Sequence, residues 1–538
     1  MARPADDPWR EPPAAVALGD ESSGTGYVAQ VADDITHYDA VEAYCDRLSY
    51  LPGEVVALHV RCTTATYDVS IARWGGEPLW TSVTLPGVAH PTPADADANG
   101  CGWPVAATVT VASEWPGGLY LATLRAHSAP ADREVSHAMF VVRAAPEHRA
   151  DVLLVLATNT YNAYNTWGGC SLYTGGHRVS FDRPFGRGML VRYPVERDDR
   201  KARPTHTGET PDADGHHYQR YRFAEGFPAW IGSAGWFSYE RRFVEWAERE
   251  GIAIDIAVSS DLHDPSALDG YRLVLGVGHD EYWSAQQRAT VEGFVGAGGN
   301  YASFSGNTMF WQVRLEDDDR AMVCHKYAAH HSDPVMGTTS ERTMSGMWCD
   351  PVVGNPEWRF LGGGSAYGLY SRFGQATPRG AGAFTVYRND HWLFAGTGLR
   401  YGDLLGRDDG VVGYETVGCR LTFDEYQLPI AVDGDGSPQG REVVAFTPSS
   451  NLGMGEYPAS ISALNDQGDL EFIAERLYGR IDADSLARVR YGSAVMLTCR
   501  PFGESGGEVV TIGTTDWVFG LDDPAVSQVT RNVLQRLG

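Results

Sequence analysis

One change of pattern, at Asp151, constrains this 538-residue chain more than any other feature. Before it, apolar and polar residues alternate in short runs: "EVVALHVRCTT", "YDVSIARWG", "AATVTVAS", "GLYLATLRA" and "HAMFVVRA". A period of two turns successive side chains to opposite faces, so each run reads as a strand with one buried face. At Asp151 comes "DVLLVLA", apolar without interruption, as in a parallel strand covered on both sides. Two architectures therefore succeed one another. Residues 26–145 predict an Ig-like, antiparallel β-sandwich, with "AHPTPADADANGCGWP" as a long turn and "APEHRA" as the linker after it.

Residues 151–538 predict a doubly wound α/β domain. "IAIDIAV", "YRLVLGV" and "YASFSG" read as further buried strands. "YERRFVEWAEREG" is helical, with Phe243, Val244 and Trp246 on one side. Ser284 with Gln287 three residues on is a capping box, opening a helix that stops at Gly298–Gly299. Residues 311–450, rich in glycine, tryptophan and tyrosine, predict a β-rich insertion. The α/β pattern returns with "DLEFIAERLYG", "EVVTIGT" and "DPAVSQVTRNVLQRLG". The polar stretch 196–220 reads either as a lid or contact surface or as a structureless excursion. Residues 1–25 read as an acidic, proline-rich, disordered tail without the features of a signal peptide.

A formal charge of −26 argues against nucleic acid and anionic membranes as partners. No apolar stretch approaches the roughly 20 residues that span a bilayer. The eight cysteines are scattered singly, which suits buried free thiols in a cytoplasmic protein.

Ligands of open α/β sheets bind beyond the carboxyl ends of the strands. Two such ends carry unusual residues: "TNTYNAYNTWGGCSLY" after "DVLLVLA", and "GHDEYW" after "YRLVLGV". In an extended segment His279 and Glu281 point the same way. They suit a metal ligand with its neighbour, an acid–base pair, or a brace for the loop and the helix start at Ser284. Tyr161, Tyr164 and Tyr173 read as core or wall aromatics, and Asn159, Asn162 and Asn165 as a loop bracing its own backbone. Trp167 and Trp283 are candidates to line an apolar pocket. Ser505 in "GESGG" lies between two strand-like runs, so it marks a hairpin and no nucleophile elbow. Cys170 is the cysteine expected nearest the pocket but has no elbow either. His325, His330 and His331 match no standard metal spacing. There is no Walker loop, and no G-x-G-x-x-G opens a helix.

"TNTYNAYNTWGGCSLY", "GHDEYW", "VVGYETVG" and "TDWVFGL" with "DPAVSQVTRNVL" resemble the large (beta) subunit family of N,N-dimethylformamidase. The resemblance runs from about residue 40 to the end. It implies a glutamine-amidotransferase-like α/β domain and a mononuclear Fe(III) held by two tyrosines and a glutamate. It implies Tyr164 (Tyr161 as its alternative), Tyr173 and Glu281 as ligands, with His279 and Glu415 as catalytic neighbours. It further implies an oligomer, with a small partner subunit, acting on a small amide. Two departures stand out: Val417 occupies a position where many relatives carry an acid, and the chain has no room for that family's further N-terminal domain. The expected function is an iron-dependent hydrolase of a small, N-alkylated amide. The alternative is a non-catalytic relative serving binding or assembly. Oxygen activation ranks below both, because the ligands are not two histidines and a carboxylate.

Overall fold

The computed structural model describes residues 39–192, 226–227, 230–377, 382–457 and 468–538. The expected tail, the start of the sandwich before residue 39 and the polar stretch 196–220 lie outside the described residues.

The alternating runs form nine strands: β1 (Val41–Cys45), β2 (Ser49–Tyr50), β3 (Val55–Cys62), β4 (Thr66–Arg73), β5 (Pro78–Thr81), β6 (Leu85–Pro86), β7 (Val105–Thr110), β8 (Gly118–Ala126) and β9 (Val135–Val142). They make one sheet in the order β1-β3-β7 and another in the order β2-β9-β8-β4-β5, with β6 on β4. Inward residues of both sheets, such as Val56, Leu58, Val69, Ile71, Leu124 and Phe140, share one core. In β3 burial alternates residue by residue, as the sequence pattern requires. In β8 it does not, because Leu119 and Leu121 turn outward into the core of the second half.

That second half is built from β10 (Val152–Leu156), α1 (Thr158–Tyr164), β11 (Arg178–Ser180), α2 (Glu240–Arg249), β12 (Asp255–Val258), β13 (Leu273–His279), β14 (Tyr282–Ser284), α3 (Ala285–Gly296) and β15 (Asn300–Gly306). It continues with β16 (Trp311–Glu316), β17 (Ala321–Val323), β18 (Tyr370–Ser371), β19 (Phe384–Val386), β20 (Leu404–Leu405) and β21 (Tyr414–Glu415). A two-stranded hairpin, β22 (Leu421–Phe423) with β23 (Pro429–Ala431), precedes β24 (Glu442–Ser450), α4 (Asp469–Tyr478), β25 (Tyr491–Cys499), β26 (Val509–Ile512) and α5 (Pro524–Leu537). An 11-stranded sheet runs β12-β10-β13-β15-β26-β25-β24-β18-β21, with β19 on β24 and β20 on β19. Its first five strands are parallel and the rest antiparallel. Strands β18 to β21 and β24, within the expected insertion, thus extend this sheet instead of forming a layer of their own.

The continuous apolar run of β10 is explained by its two covered faces. Leu154 and Leu156 pack with Phe243 and Trp246 of α2, while Leu153 and Val155 pack with Val291 and Val295 of α3. From β10 the chain goes to β12 on one side and then to β13 on the other. The order therefore reverses between β10 and β13, and a crevice opens beyond their carboxyl ends. The "GESGG" turn joins the antiparallel pair β25 and β26, as its flanking runs predict.

Candidate active site

His279 is the last residue of β13. Extended backbone continues past it, so the side chains alternate. His279 and Glu281 turn into the crevice, while Asp280 turns away and accepts the Trp283 indole N–H at 3.0 Å. Gly278, at φ +77°, makes this approach possible: a Cβ there would lie 2.3 Å from that of Tyr239. Ser284 then caps α3, its Oγ accepting the Gln287 N–H at 3.2 Å while Gln287 Oε1 accepts the Ser284 N–H at 2.9 Å.

Glu281 is 2% exposed and carries a full set of donors. Its Oε2 accepts Tyr164 Oη–H at 3.1 Å, and Tyr173 Oη lies 2.9 Å from both carboxyl oxygens. Trp311 Nε1–H donates to Oε1 at 2.7 Å, and the Glu281 backbone N–H donates to Thr160 Oγ1 at 3.0 Å. His279 Nε2 is 3.3 Å from Glu281 Oε2 and 2.6 Å from Glu415 Oε2. On its other side His279 Nδ1 donates to the Ser233 carbonyl oxygen at 2.8 Å, which fixes the ring. Glu415 arrives from β21. Gly306, at the end of β15, lets it come close, since a Cβ there would lie 2.1 Å from the Glu415 carbonyl oxygen.

Burial alone would pull the His279 imidazole down, but the facing Glu415 and Glu281 carboxylates outweigh it and raise its pKa to about 9. Burial raises Glu281 to about 7, against the pull of His279. Burial and the Glu281 charge hold Tyr164 and Tyr173 well above the ordinary phenol value. In the absence of a cation the phenols are therefore neutral donors to Glu281. A cation among these oxygens has to displace their protons, and the resulting phenolates and carboxylate suit a hard trivalent ion.

Tyr164, Tyr173 and Glu415 border a cavity of about 400 Å³. The expected site residues Tyr164, Tyr173, His279, Glu281 and Glu415 thus come together. Tyr161 does not join them: its phenol faces Glu240 instead. Other expectations are corrected. The tyrosine-rich stretch is no loop where its first tyrosines fall but the helix α1, buried along its whole length. Its asparagines mostly brace other segments: Asn159 donates to Tyr282 O and Gln287 Oε1, Asn162 to Val179 O, and Asn165 to Pro184 O. Trp167 packs edge-on against Trp103 and borders a separate cavity of about 570 Å³, which contains none of the cluster. Trp283 packs with Val291 under α3. The cysteine on the cavity wall is Cys324, whereas the Cys170 N–H is held by Asp97. None of the eight cysteines is in a disulfide. His325 stacks on His177, and His330 pairs with Asp350, so these histidines do not converge on a metal.

Lys326 is a participant that the sequence does not announce. It sits in "CHKYAAHH", a stretch that draws attention to its histidines. Its Nζ lies 3.2 Å from the centre of the Tyr173 ring, a cation–π contact beside the Glu281 charge. Its φ of +50°, strained for a residue with a side chain, is the kind of signal only coordinates carry.

Residues 66–531 match the family described as N,N-dimethylformamidase beta subunit-like, C-terminal. The chain belongs to this family. None of the individually curated proteins matches it. The match covers every residue of the cluster, from Tyr164 to Glu415. Among the described residues, His279, Glu281 and Glu415 form a group whose metal-ligating atoms all lie within 4.8 Å of one another. No helix among the described residues is long and apolar enough to cross a membrane.

Proposed function

We propose that this chain is an amidohydrolase that holds a mononuclear Fe(III) through Tyr164, Tyr173 and Glu281. It cleaves the C–N bond of a small, N-substituted amide. The observation that carries this reading is the convergence of two phenols, two carboxylates and an imidazole on one buried point. There, His279 Nε2 and Glu415 Oε2 face each other at 2.6 Å. When bound, the ion would supply Lewis acidity toward an amide carbonyl and a water.

The chain's own residues do the rest. Glu415 takes a proton from the attacking water and returns it to the departing nitrogen, so amide and water become acid and amine. His279, anchored by Ser233, holds the Glu415 carboxylate in place. Trp311 and the backbone contact to Thr160 fix the rotamer of Glu281. The aromatic walls keep bulk water from the reacting carbonyl. With this reading go an Ig-like sandwich over 26–145 and a glutamine-amidotransferase-like catalytic unit over 151–538. So do a cytoplasmic location and assembly with further copies or a small partner subunit, as the family's "beta subunit" description suggests.

The test is colour and metal content. Protein made with ample iron should carry one iron per chain and a visible tyrosinate-to-iron band. Glu281→Ala should lose both. Its activity should fall by more than the roughly 10–100-fold that loss of an outer partner costs. A colourless, iron-free wild type would overturn the reading. The close His279, Glu281 and Glu415 group favours a second assignment, a divalent ion on one imidazole and two carboxylates. Glu415→Gln separates the two: the iron–tyrosinate site keeps its metal and colour but not its turnover, whereas the divalent site loses its metal.

A further inference from the structure

The cavity carries another buried carboxylate on its wall, and the proposed chemistry does not use it. Asp469, the first residue of α4, is 2% exposed. Its Oδ1 accepts Tyr327 Oη–H at 2.8 Å, and its Oδ2 accepts Tyr370 at 2.6 Å and Tyr457 at 2.7 Å. The Asp469 backbone N–H in turn donates to Tyr457 Oη at 3.0 Å. Three phenols satisfy both oxygens, so Asp469 offers the cavity no free charge. What it offers is three rings locked in one arrangement.

Phe373 completes the wall. Its ring centre is 4.9 Å from Tyr370, 6.1 Å from Tyr457 and 5.5 Å from Tyr414. Tyr370 lies directly opposite Glu415 in the antiparallel pair of β18 and β21. Directly opposed residues share a face of the sheet. The aromatic wall therefore begins beside the proposed base.

Size and charge narrow what fits. At about 400 Å³ the cavity falls in the range of roughly 300–1,000 Å³ that takes drug-sized ligands. A dimethyl-substituted formamide, with five heavy atoms, would leave this wall untouched. Lys326 borders the same cavity and opposes a cationic group. Rings packed at these separations favour another flat ring, by offset or edge-on stacking.

We infer that this wall is a substituent subsite. It takes a bulky, flat, apolar group of the amide, an aromatic ring above all, and Asp469 is its positioning residue. The inference rests on the amide-cleaving reading of the cavity, and the experiment separates the two. Binding of N-phenylformamide and of N,N-dimethylformamide is measured by calorimetry on metal-loaded Glu415→Gln protein, in which turnover is blocked. The phenyl compound should bind at least ten-fold more tightly. Asp469→Asn and Phe373→Leu should each remove at least five-fold of that advantage while moving the dimethyl compound less than two-fold. Tyr370→Phe, which deletes a single hydroxyl, serves where Asp469→Asn does not fold. Equal affinities for the two amides, or variants that weaken both alike, overturn the subsite. A phenyl preference in binding without hydrolysis of either amide by the wild type leaves the subsite standing and overturns only the amidohydrolase reading.

Discussion

Glu357 shows what burial does to a carboxylate without a site. It is 0% exposed, and neither of its oxygens meets hydrogen-bond geometry with a neighbour. Burial raises its pKa from 4.5 to about 7, with nearby backbone N–H groups and Arg288 offsetting only part. A raised folded pKa means that the folded state binds the proton more tightly than the unfolded chain. The associated stability is complete below about pH 4.5 and is lost as pH rises through 7. At pH 8 that loss is of the order of 3 kcal/mol, at about 1.4 kcal/mol per unit. Glu357→Gln should therefore raise the urea midpoint at pH 8 and change it little at pH 5. An equal shift at both values would show that the carboxylate is not the cause. Glu281 is buried as deeply, but it has two tyrosines, a tryptophan and a histidine around it. The two-residue spacing to His279 is legible in the sequence, whereas the tyrosine and tryptophan donors are not, since they come from segments 30 and more than 100 positions away.

At the scale of elements, the site depends on how two strand ends are tied to the helices beyond them. Ser284 and Gln287 form the capping box that the sequence predicts, and Gln287 does more. Its Oε1 also accepts Asn159 Nδ2–H at 2.9 Å, and its Nε2–H donates to the Ser259 carbonyl oxygen at 2.9 Å. The cap thereby ties α3 to α1, the helix that carries Tyr164. Ser284→Ala should cost about 1 kcal/mol, the usual worth of a cap. Gln287→Ala should cost roughly 2–3 kcal/mol, because it strands buried donors and acceptors. It should also lower metal content, which Ser284→Ala should not. Thermal melts and metal analysis check both, and equal melting points for the two variants would argue against the linking role. Helix α1 itself is not legible in the sequence. Asparagine, threonine and tyrosine are weak helix formers, and "TNTYNAY" is helical here because packing on every side stabilises it.

At the scale of the molecule, the two halves share a core. Leu119, Leu121, Met139 and Val141 of the second sandwich sheet pack in one cluster with Val152, Leu154 and Trp236. Trp74 Nε1–H donates to Glu245 Oε1 at 3.0 Å, and Trp167 Nε1–H donates to Glu42 Oε1 at 3.0 Å. Unfolding should be one transition, with far-ultraviolet circular dichroism and tryptophan fluorescence coincident. Residues 151–538 made alone should precipitate or melt at least ~10 °C lower, since 1 kcal/mol moves a melting point by a few degrees. A separate stable fold for that piece would show that the apolar contact between halves contributes little. The pattern of β8 marks a strand but hides its outward burial, because the sheet it meets begins only at residue 152.

The sequence by itself determined the longer strands outside residues 311–450, the capping box of Ser284 and Gln287, the hairpin at Ser505, the absence of disulfides and the shared direction of His279 and Glu281. All of these depend on residues close together in the chain, where period, turn chemistry and spacing act directly. The family resemblance pointed to Tyr164, Tyr173 and Glu415. Only the tertiary structure decided which tyrosine faces Glu281 and which faces Glu240, that Trp167 and Trp283 stand elsewhere, and that Lys326 and Asp469 border the same cavity. Those outcomes rest on the order of strands in the sheet, which sets neighbours across hundreds of residues.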